Sequence, residues 1–165
     1  MALRTNPAPE LLTFKNWFTP VDAALDGSGF PSGTYSEFQP SNIRTKADKG
    51  TVAIANFDLM VTVVKRRSWI ILSQASAALL EHERLHYLIA ICVGRDLHED
   101  ASSASAGSSG ELTSSLTALL GEAQRRTQTI SDQYDLETKN GTLAMQQAAW
   151  VTRVRRWHSI GFKEW

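Results

Sequence analysis

Two histidines and a glutamate lie close together in the segment LLEHERLHYLIA at residues 79–90. On a helix, residues four apart face the same side, so the imidazoles of His82 and His86 can bind one metal ion at about 2.0–2.1 Å. Glu83 lies about 100° further around the helix, within reach of a water molecule on that ion. This spacing predicts a zinc (Zn2+) site with His82 and His86 as metal ligands and Glu83 as general base.

The reaction that this arrangement predicts is hydrolysis of a peptide bond. Zinc lowers the pKa of a bound water and polarises the substrate carbonyl. Glu83 takes a proton from the water and passes it to the leaving amine. The alternative is a chance motif on an exposed charged stripe, which Glu81 and Arg84 would fit. The apolar neighbours Leu85 and Leu88 argue against wide exposure.

The first 68 residues indicate a small antiparallel sheet. They hold all five prolines, and DGSGFPSGTY at 26–35 is typical of turns. The clearest strand is 56–64, where Phe57, Leu59, Val61 and Val63 alternate with their neighbours. Residues 51–55 begin or pair with that strand, and 34–39 and 41–46 are weaker strand candidates.

The second half of the chain predicts about three helices, so the fold class is α+β. Ser68 can cap a central, buried helix over 69–98. The Ser/Ala/Gly-rich residues 99–110 predict a flexible loop. A helix over 111–139 carries an apolar stripe that includes Leu112, Leu116, Leu119, Leu120, Ala123, Ile130 and Tyr134. A last helix covers about 142–157.

Composition excludes several other classes. The net charge is zero, so neither nucleic acid nor a membrane is an expected partner; the expected partner is a peptide or protein substrate. The single cysteine, Cys92, forms no internal disulfide and lies in an apolar run typical of a core. No classical signal peptide or transmembrane segment is found, which predicts a cytoplasmic or non-classically exported protein, or a chain trimmed of its signal.

Four segments resemble a bacterial domain family of unknown function that is described as predicted secreted zinc-dependent proteases. They are LLTFKNWFTP (11–20), VVKRRSWI (63–70), LLEHERLHYLIA followed by Arg95, and YDLETKNGTLAMQQAAW (134–150). The last two are similar to the family patterns LLxHExxHFDIA…AR and YDxETxHG…QxxW. The length predicts one domain over 1–165, which the patterns divide into a sheet region at 1–68, an active-site helix at 69–98, a loop at 99–110 and a helical region at 111–165. The resemblance implies that this domain is zincin-like.

A catalytic zinc needs a third protein ligand. Asp135 and Glu137 lie in the last matched motif, and the resemblance makes Asp135 the first choice. Glu122 is a geometric rival, because residue 122 lies level with His86 if the first two long helices pack antiparallel. His98 and Asp96 lie three turns from His86, and His158 fits a surface histidine.

Departures from the family pattern keep two alternatives open. Asn140 stands where the family has a histidine before glycine, and Leu88 and Ile91 replace positions that are often acidic. If the missing histidine is a ligand in the family, this chain has a weakened or inactive site and serves as a binding or adaptor domain. The other alternative is a structural zinc that only joins helices. For an active peptidase, strand 56–64 is expected to pair its edge with an extended substrate.

Overall fold

The computed structural model describes residues 1–22 and 30–161, so residues 26–29 of the predicted turn segment lie outside the described residues. The strands are β1 (Leu3–Asn6), β2 (Thr19–Val21), β3 (Ser32–Gly33), β4 (Ser36–Asp48), β5 (Thr51–Val63), β6 (Trp69–Ile71) and β7 (Ser105–Ala106). The helices are α1 (Phe14–Trp17), α2 (Ala77–Ser102), α3 (Ser109–Thr138) and α4 (Ala144–Ile160). The predicted α+β class is confirmed.

The strands form two mixed sheets. Their orders are β1-β5-β4, with β7 also on β5, and β2-β6-β3. β4 and β3 run antiparallel to β5 and β6, whereas β1 and β2 run parallel to those same strands. The prediction of an antiparallel sheet is therefore wrong for the two short N-terminal strands. Alternation along a strand shows which side chains are buried, but it does not show in which direction the neighbouring strand runs.

β5 is the centre of the larger sheet and includes the strand predicted at 56–64. Phe57, Leu59 and Val61 are buried against the helices, as their alternation predicts. Leu3–Asn6 pairs with Leu59–Thr62 on one side, and β4 pairs on the other. The expectation that this strand offers its edge to a substrate is therefore wrong, because the N-terminal segment occupies that edge.

The long central helix begins later than predicted. Trp69–Ile71 forms β6 between β2 and β3, and α2 starts at Ala77, where Ser76 Oγ accepts a hydrogen bond of 3.1 Å from the backbone N–H of Leu79. Ser68 does not cap a helix; it is buried, and its Oγ accepts from the backbone N–H of Tyr35 at 3.0 Å. The run Trp-Ile-Ile fits a half-buried strand better than a helix start.

The segment predicted as a flexible loop is largely ordered. α2 continues to Ser102, Ser105–Ala106 pairs with Val52–Ala53 as β7, and α3 begins at Ser109. The short polar side chains suit these connections because Ser108 caps α3, its Oγ accepting from the N–H of Glu111 at 3.2 Å. The prediction of a loop over 99–110 is therefore wrong, because its first residues belong to α2, its last residues belong to α3 and Ser105–Ala106 forms β7.

α2 lies between the larger sheet and the two other long helices. Contacts of His86 with Asp135 and of Asp96 with Arg126 show that α2 and α3 are antiparallel. The core between them includes Cys92, which is buried as predicted. In the portion of the chain that the structure describes, no helix has both the length and the apolar character needed to cross a membrane.

Candidate metal centre

Three side chains from α2 and α3 converge on one point, and we call them the metal group: His82, His86 and Asp135. Asp135 Oδ1 lies 3.0 Å from His82 Nε2 and 2.9 Å from His86 Nε2, and the two nitrogens are 3.2 Å apart. One face of a tetrahedron with bonds of about 2.0–2.1 Å has edges of about 3.3–3.4 Å. The three atoms are therefore spaced closely enough to bind one divalent metal ion.

Hydrogen bonding at the other nitrogen of His82 supports a cation at this point. Gln147 Oε1 accepts a 2.7 Å hydrogen bond from the Tyr134 hydroxyl and lies 3.4 Å from His82 Nδ1. With that oxygen as an acceptor, Nδ1 carries the proton of a neutral His82 and Nε2 presents its lone pair. That lone pair then faces the carboxylate oxygen of Asp135, a contact that a shared cation stabilises.

The pKa values of His86 and Asp135 both shift in the direction that favours a positive charge beside the Asp135 carboxylate. Burial lowers the pKa of His86, but the hydrogen bond and negative charge of Asp135 outweigh burial, and the result is a raised pKa. Burial raises the pKa of Asp135, but hydrogen bonds and charge from His82 and His86 hold it well below its usual range. In the protein without metal, a proton on His86 can therefore supply the charge that a metal ion would bring.

Tyr134 and Gly141 fix the position of the His82 ring. The Tyr134 ring stacks on it with centroids 4.6 Å apart and meets the His86 ring nearly edge-on at 4.8 Å. Gly141 has a left-handed φ of 80°, and a Cβ on it would lie 2.9 Å from His82 Nδ1. The turn after α3 needs glycine because it both reverses the chain and packs against this imidazole.

Glu83 is held by two hydroxyl groups that the sequence analysis missed. Its carboxylate is buried, with Oε1 accepting from Ser32 Oγ at 2.5 Å and Oε2 accepting from Thr34 Oγ1 at 2.6 Å. Ser32 and Thr34 are two residues apart in an extended segment, so their side chains face the same way. That spacing within FPSGTY was the available signal, but nothing in the sequence linked it to Glu83, 49 to 51 residues away.

The other candidate ligands lie elsewhere. Glu137 accepts hydrogen bonds of 2.7 Å from Trp150 Nε1 and from the Gln133 side chain. Glu122 is exposed and forms an ion pair with Arg125. Glu122 is not level with His86. The connection through β7 aligns the two antiparallel helices so that Asp135 lies opposite His86.

The remaining histidines also have other surroundings. His98 Nε2 lies 3.0 Å from the carbonyl oxygen of Phe57, and His158 is exposed, as expected of a surface histidine. Asn140 follows α3 with a left-handed φ of 54° and lines the same cleft as the metal group.

The metal group lies on the floor of a cleft of about 720 Å³. The floor is one face of α2, and the two walls are residues 30–36 and α3 with the turn that follows it. The apolar side chains that line it include Phe30, Pro31, Trp69, Leu79 and Leu136. A cleft of this size can hold several residues of a peptide, and Glu83 and the metal group both line it.

Comparison of the chain with protein-family models, with curated proteins and with solved structures found no match. The family resemblance therefore depends on the sequence motifs alone, and the zincin-like fold that it implies stays an expectation.

Proposed function

We propose that the protein is a zinc-dependent metallopeptidase. The observation that carries this proposal is the convergence of His82 Nε2, His86 Nε2 and Asp135 Oδ1 beside Glu83 in an open cleft. Two nitrogens and one carboxylate oxygen suit zinc, and three protein ligands with a fourth position open are typical of a catalytic zinc site.

The residues of the cleft have separate tasks in this proposal. His82, His86 and Asp135 would hold the zinc ion, which when bound would lower the pKa of a water molecule and polarise the substrate carbonyl. Glu83 accepts the proton of the attacking water and donates it to the leaving amine. Ser32 and Thr34 orient the Glu83 carboxylate through both of its oxygens.

The substrate backbone has a better partner than β5. β3 is the last strand of the sheet β2-β6-β3, and Ser32 and Gly33 line the cleft. Pairing with β6 uses one edge of β3, so within the described sheet the other edge is available to an extended peptide. A peptide bound there would lie between β3 and the wall formed by α3.

The test is zinc stoichiometry combined with a Glu83→Gln variant. Purified wild-type protein should bind one zinc per chain and hydrolyse peptides. The variant should bind the same amount of zinc while its kcat falls by about 10²–10⁴-fold, the usual contribution of a general base. Wild-type turnover that persists in the variant would rule out the proposed base, and a protein that does not bind zinc would rule out the metallopeptidase.

Asn140 favours a second candidate, an inactive binding domain that has kept the cleft. Asn140 replaces the histidine of the resembled motif and lines the cleft. In that case wild-type protein binds peptides without cleaving them, and Asn140→His is the variant that should gain zinc affinity. A structural zinc differs from both, because chelation would then unfold the protein.

A further inference from the structure

The cleft has two unlike ends. Leu79 precedes His82 in α2 and Leu136 follows Asp135 in α3, so in this antiparallel pair both lie on the same side of the metal group. Leu136 is 79% exposed. We call this side the open half. Gln124, Thr127 and Gln128 line α3 on the other side of the metal group.

On that other side, the two walls of the cleft meet. Gln124 Nε2 donates a 3.4 Å hydrogen bond to the backbone oxygen of Ser36, across the cleft. Ser36 and Thr127 are buried, and the next residue towards the N-terminus of α3, Ala123, belongs to the hydrophobic core. We call this side the closed half, because the Gln124–Ser36 hydrogen bond joins its two walls.

The length of the closed half limits what it can hold. Gln124 and Asp135 are 11 residues apart in α3, which is about 16 Å along the helix axis. An extended peptide advances about 3.3–3.4 Å per residue, so about five residues span this distance. The Gln124 side chain occupies some of the space, which leaves room for about four.

Charge distinguishes which end of a peptide suits the closed half. Among the described residues that line the cleft there, Asp132 is the charged one, and its Oδ1 accepts a 2.7 Å hydrogen bond from Gln128 Nε2. The cationic Lys139 lines the open half. A free α-ammonium group is therefore favoured in the closed half, whereas a terminal carboxylate there would face the Asp132 carboxylate.

We propose that the substrate binds with its free N-terminus in the closed half and is cut within about four residues of that end. This inference rests on the proposed peptidase function and adds a substrate class, peptides with an accessible amino terminus. Water adds across the peptide bond, so the short N-terminal fragment gains a carboxylate and the remainder gains a free amine.

The experiment uses zinc-loaded protein and a random decapeptide library, with products identified by mass spectrometry. Cuts should fall within about four residues of a free N-terminus, and N-acetylation should lower the rate at least tenfold. Ten added residues at the C-terminus should change nothing, whereas ten added at the N-terminus should move the cuts to stay near the new end. Cuts at a fixed sequence regardless of the N-terminus would overturn this inference and leave the peptidase function standing.

A binding measurement separates the two possible failures. Trp69 lines the cleft, so its fluorescence can report binding of uncleaved pentapeptides to the Glu83→Gln variant. Free pentapeptides should bind at least tenfold tighter than acetylated ones, even if the wild type cleaves nothing. Equal affinities would overturn the inference.

A matched pair of substitutions tests the location. Gln128→Trp fills the closed half and should lower the cleavage rate at least tenfold for substrates with three or four residues before the cut. Gln133→Trp lies outside the cleft on the same helix and has a similar hydrogen bond, to Glu137 at 2.7 Å, so it should leave the rate unchanged. Equal effects of both variants would contradict binding in the closed half.

Discussion

Two polar clusters join α2 to α3, and they balance their charges in different ways. The ion-pair cluster consists of Arg95, Asp96 and Arg126. Asp96 Oδ1 lies 3.3 Å from Arg95 Nη2, and Oδ2 lies 3.1 Å from Arg126 Nη1. Its carboxylate is thus neutralised by permanent cations of the chain. In the metal group, one carboxylate oxygen instead faces two imidazoles, whose charge depends on protons.

The two clusters also differ in their surroundings, because the ion-pair cluster is packed between helices and the metal group borders a cleft. Asp96 is only 5% exposed, and Arg95 also donates a 2.8 Å hydrogen bond to the backbone oxygen of Trp157, which ties α4 to α2. The metal group borders a cleft. A buried carboxylate paired with two arginines indicates a structural contact, whereas one paired only with histidines beside a cleft is a candidate for binding a cation.

The largest expected effect comes from removing a member of the metal group. His86→Ala leaves two ligands, and turnover should disappear. Loss of a residue that only hydrogen-bonds to a ligand costs up to about 100-fold in metal affinity, so loss of a ligand itself should lower zinc affinity by more than about 100-fold. Competition with a fluorescent chelator measures the affinity. Asp96→Asn is the control and should bind zinc like the wild type; a comparable loss there would mean that the clusters are not independent.

Asp96→Ala should destabilise the fold without emptying the cleft. It leaves the guanidiniums of Arg95 and Arg126 without their shared carboxylate. Breaking a fully buried pair costs about 3–5 kcal/mol, and we expect about 2–3 kcal/mol because both arginines are partly exposed. Urea unfolding of zinc-free protein measures this cost. An unchanged free energy of unfolding would show that the cluster contributes little.

The sequence predicted that His82, Glu83 and His86 lie on one turn of a helix, and the structure places them so on α2. The spacing of His82 and His86 alone sets their common face. Asp135 was reached through a resemblance, and the structure places it beside both histidines. Glu122 does not lie level with His86, because the alignment of α2 with α3 depends on the length of the connection between them, which includes the pairing of β7 with β5.

The regions of the fold that were missed depend on contacts between distant segments. β1 pairs parallel with β5 across more than 50 residues, and a four-residue strand carries no pattern that reveals this. β6 was taken for the start of a helix because Trp69, Ile70 and Ile71 are apolar in either structure. Its strand form follows from pairing with Thr19–Val21 and Ser32–Gly33.

The pH dependence should have opposite signs with and without zinc. The pKa of His86 is raised in the folded protein, so the stability it contributes is present at low pH and is lost as pH rises through that pKa. Zinc must displace this proton, so zinc affinity should fall about tenfold for each pH unit below the raised pKa. The ionised Asp135 does not change over this range, because its pKa is lowered.

Zinc titrations and urea unfolding between about pH 5.5 and pH 8 check both signs, with His86→Ala as the reference. The variant should lack the share of the pH slope that His86 supplies to the zinc-free protein. The same slope in both proteins would assign the pH dependence to other groups.

The smallest expected effect comes from the glycine behind His82. Gly141→Ala places a Cβ 2.9 Å from His82 Nδ1 and should lower zinc affinity about tenfold, the low end for changes around a metal ligand. Gly50→Ala is a matched control, since both glycines have a φ of 80° but Gly50 has nothing within 4 Å of the added Cβ. Both variants should lose about 1 kcal/mol of stability from the strained backbone. Only Gly141→Ala should change zinc affinity, because only that residue contacts a ligand of the metal group. Equal zinc affinities of the two variants would mean that the position of the His82 ring does not control zinc binding.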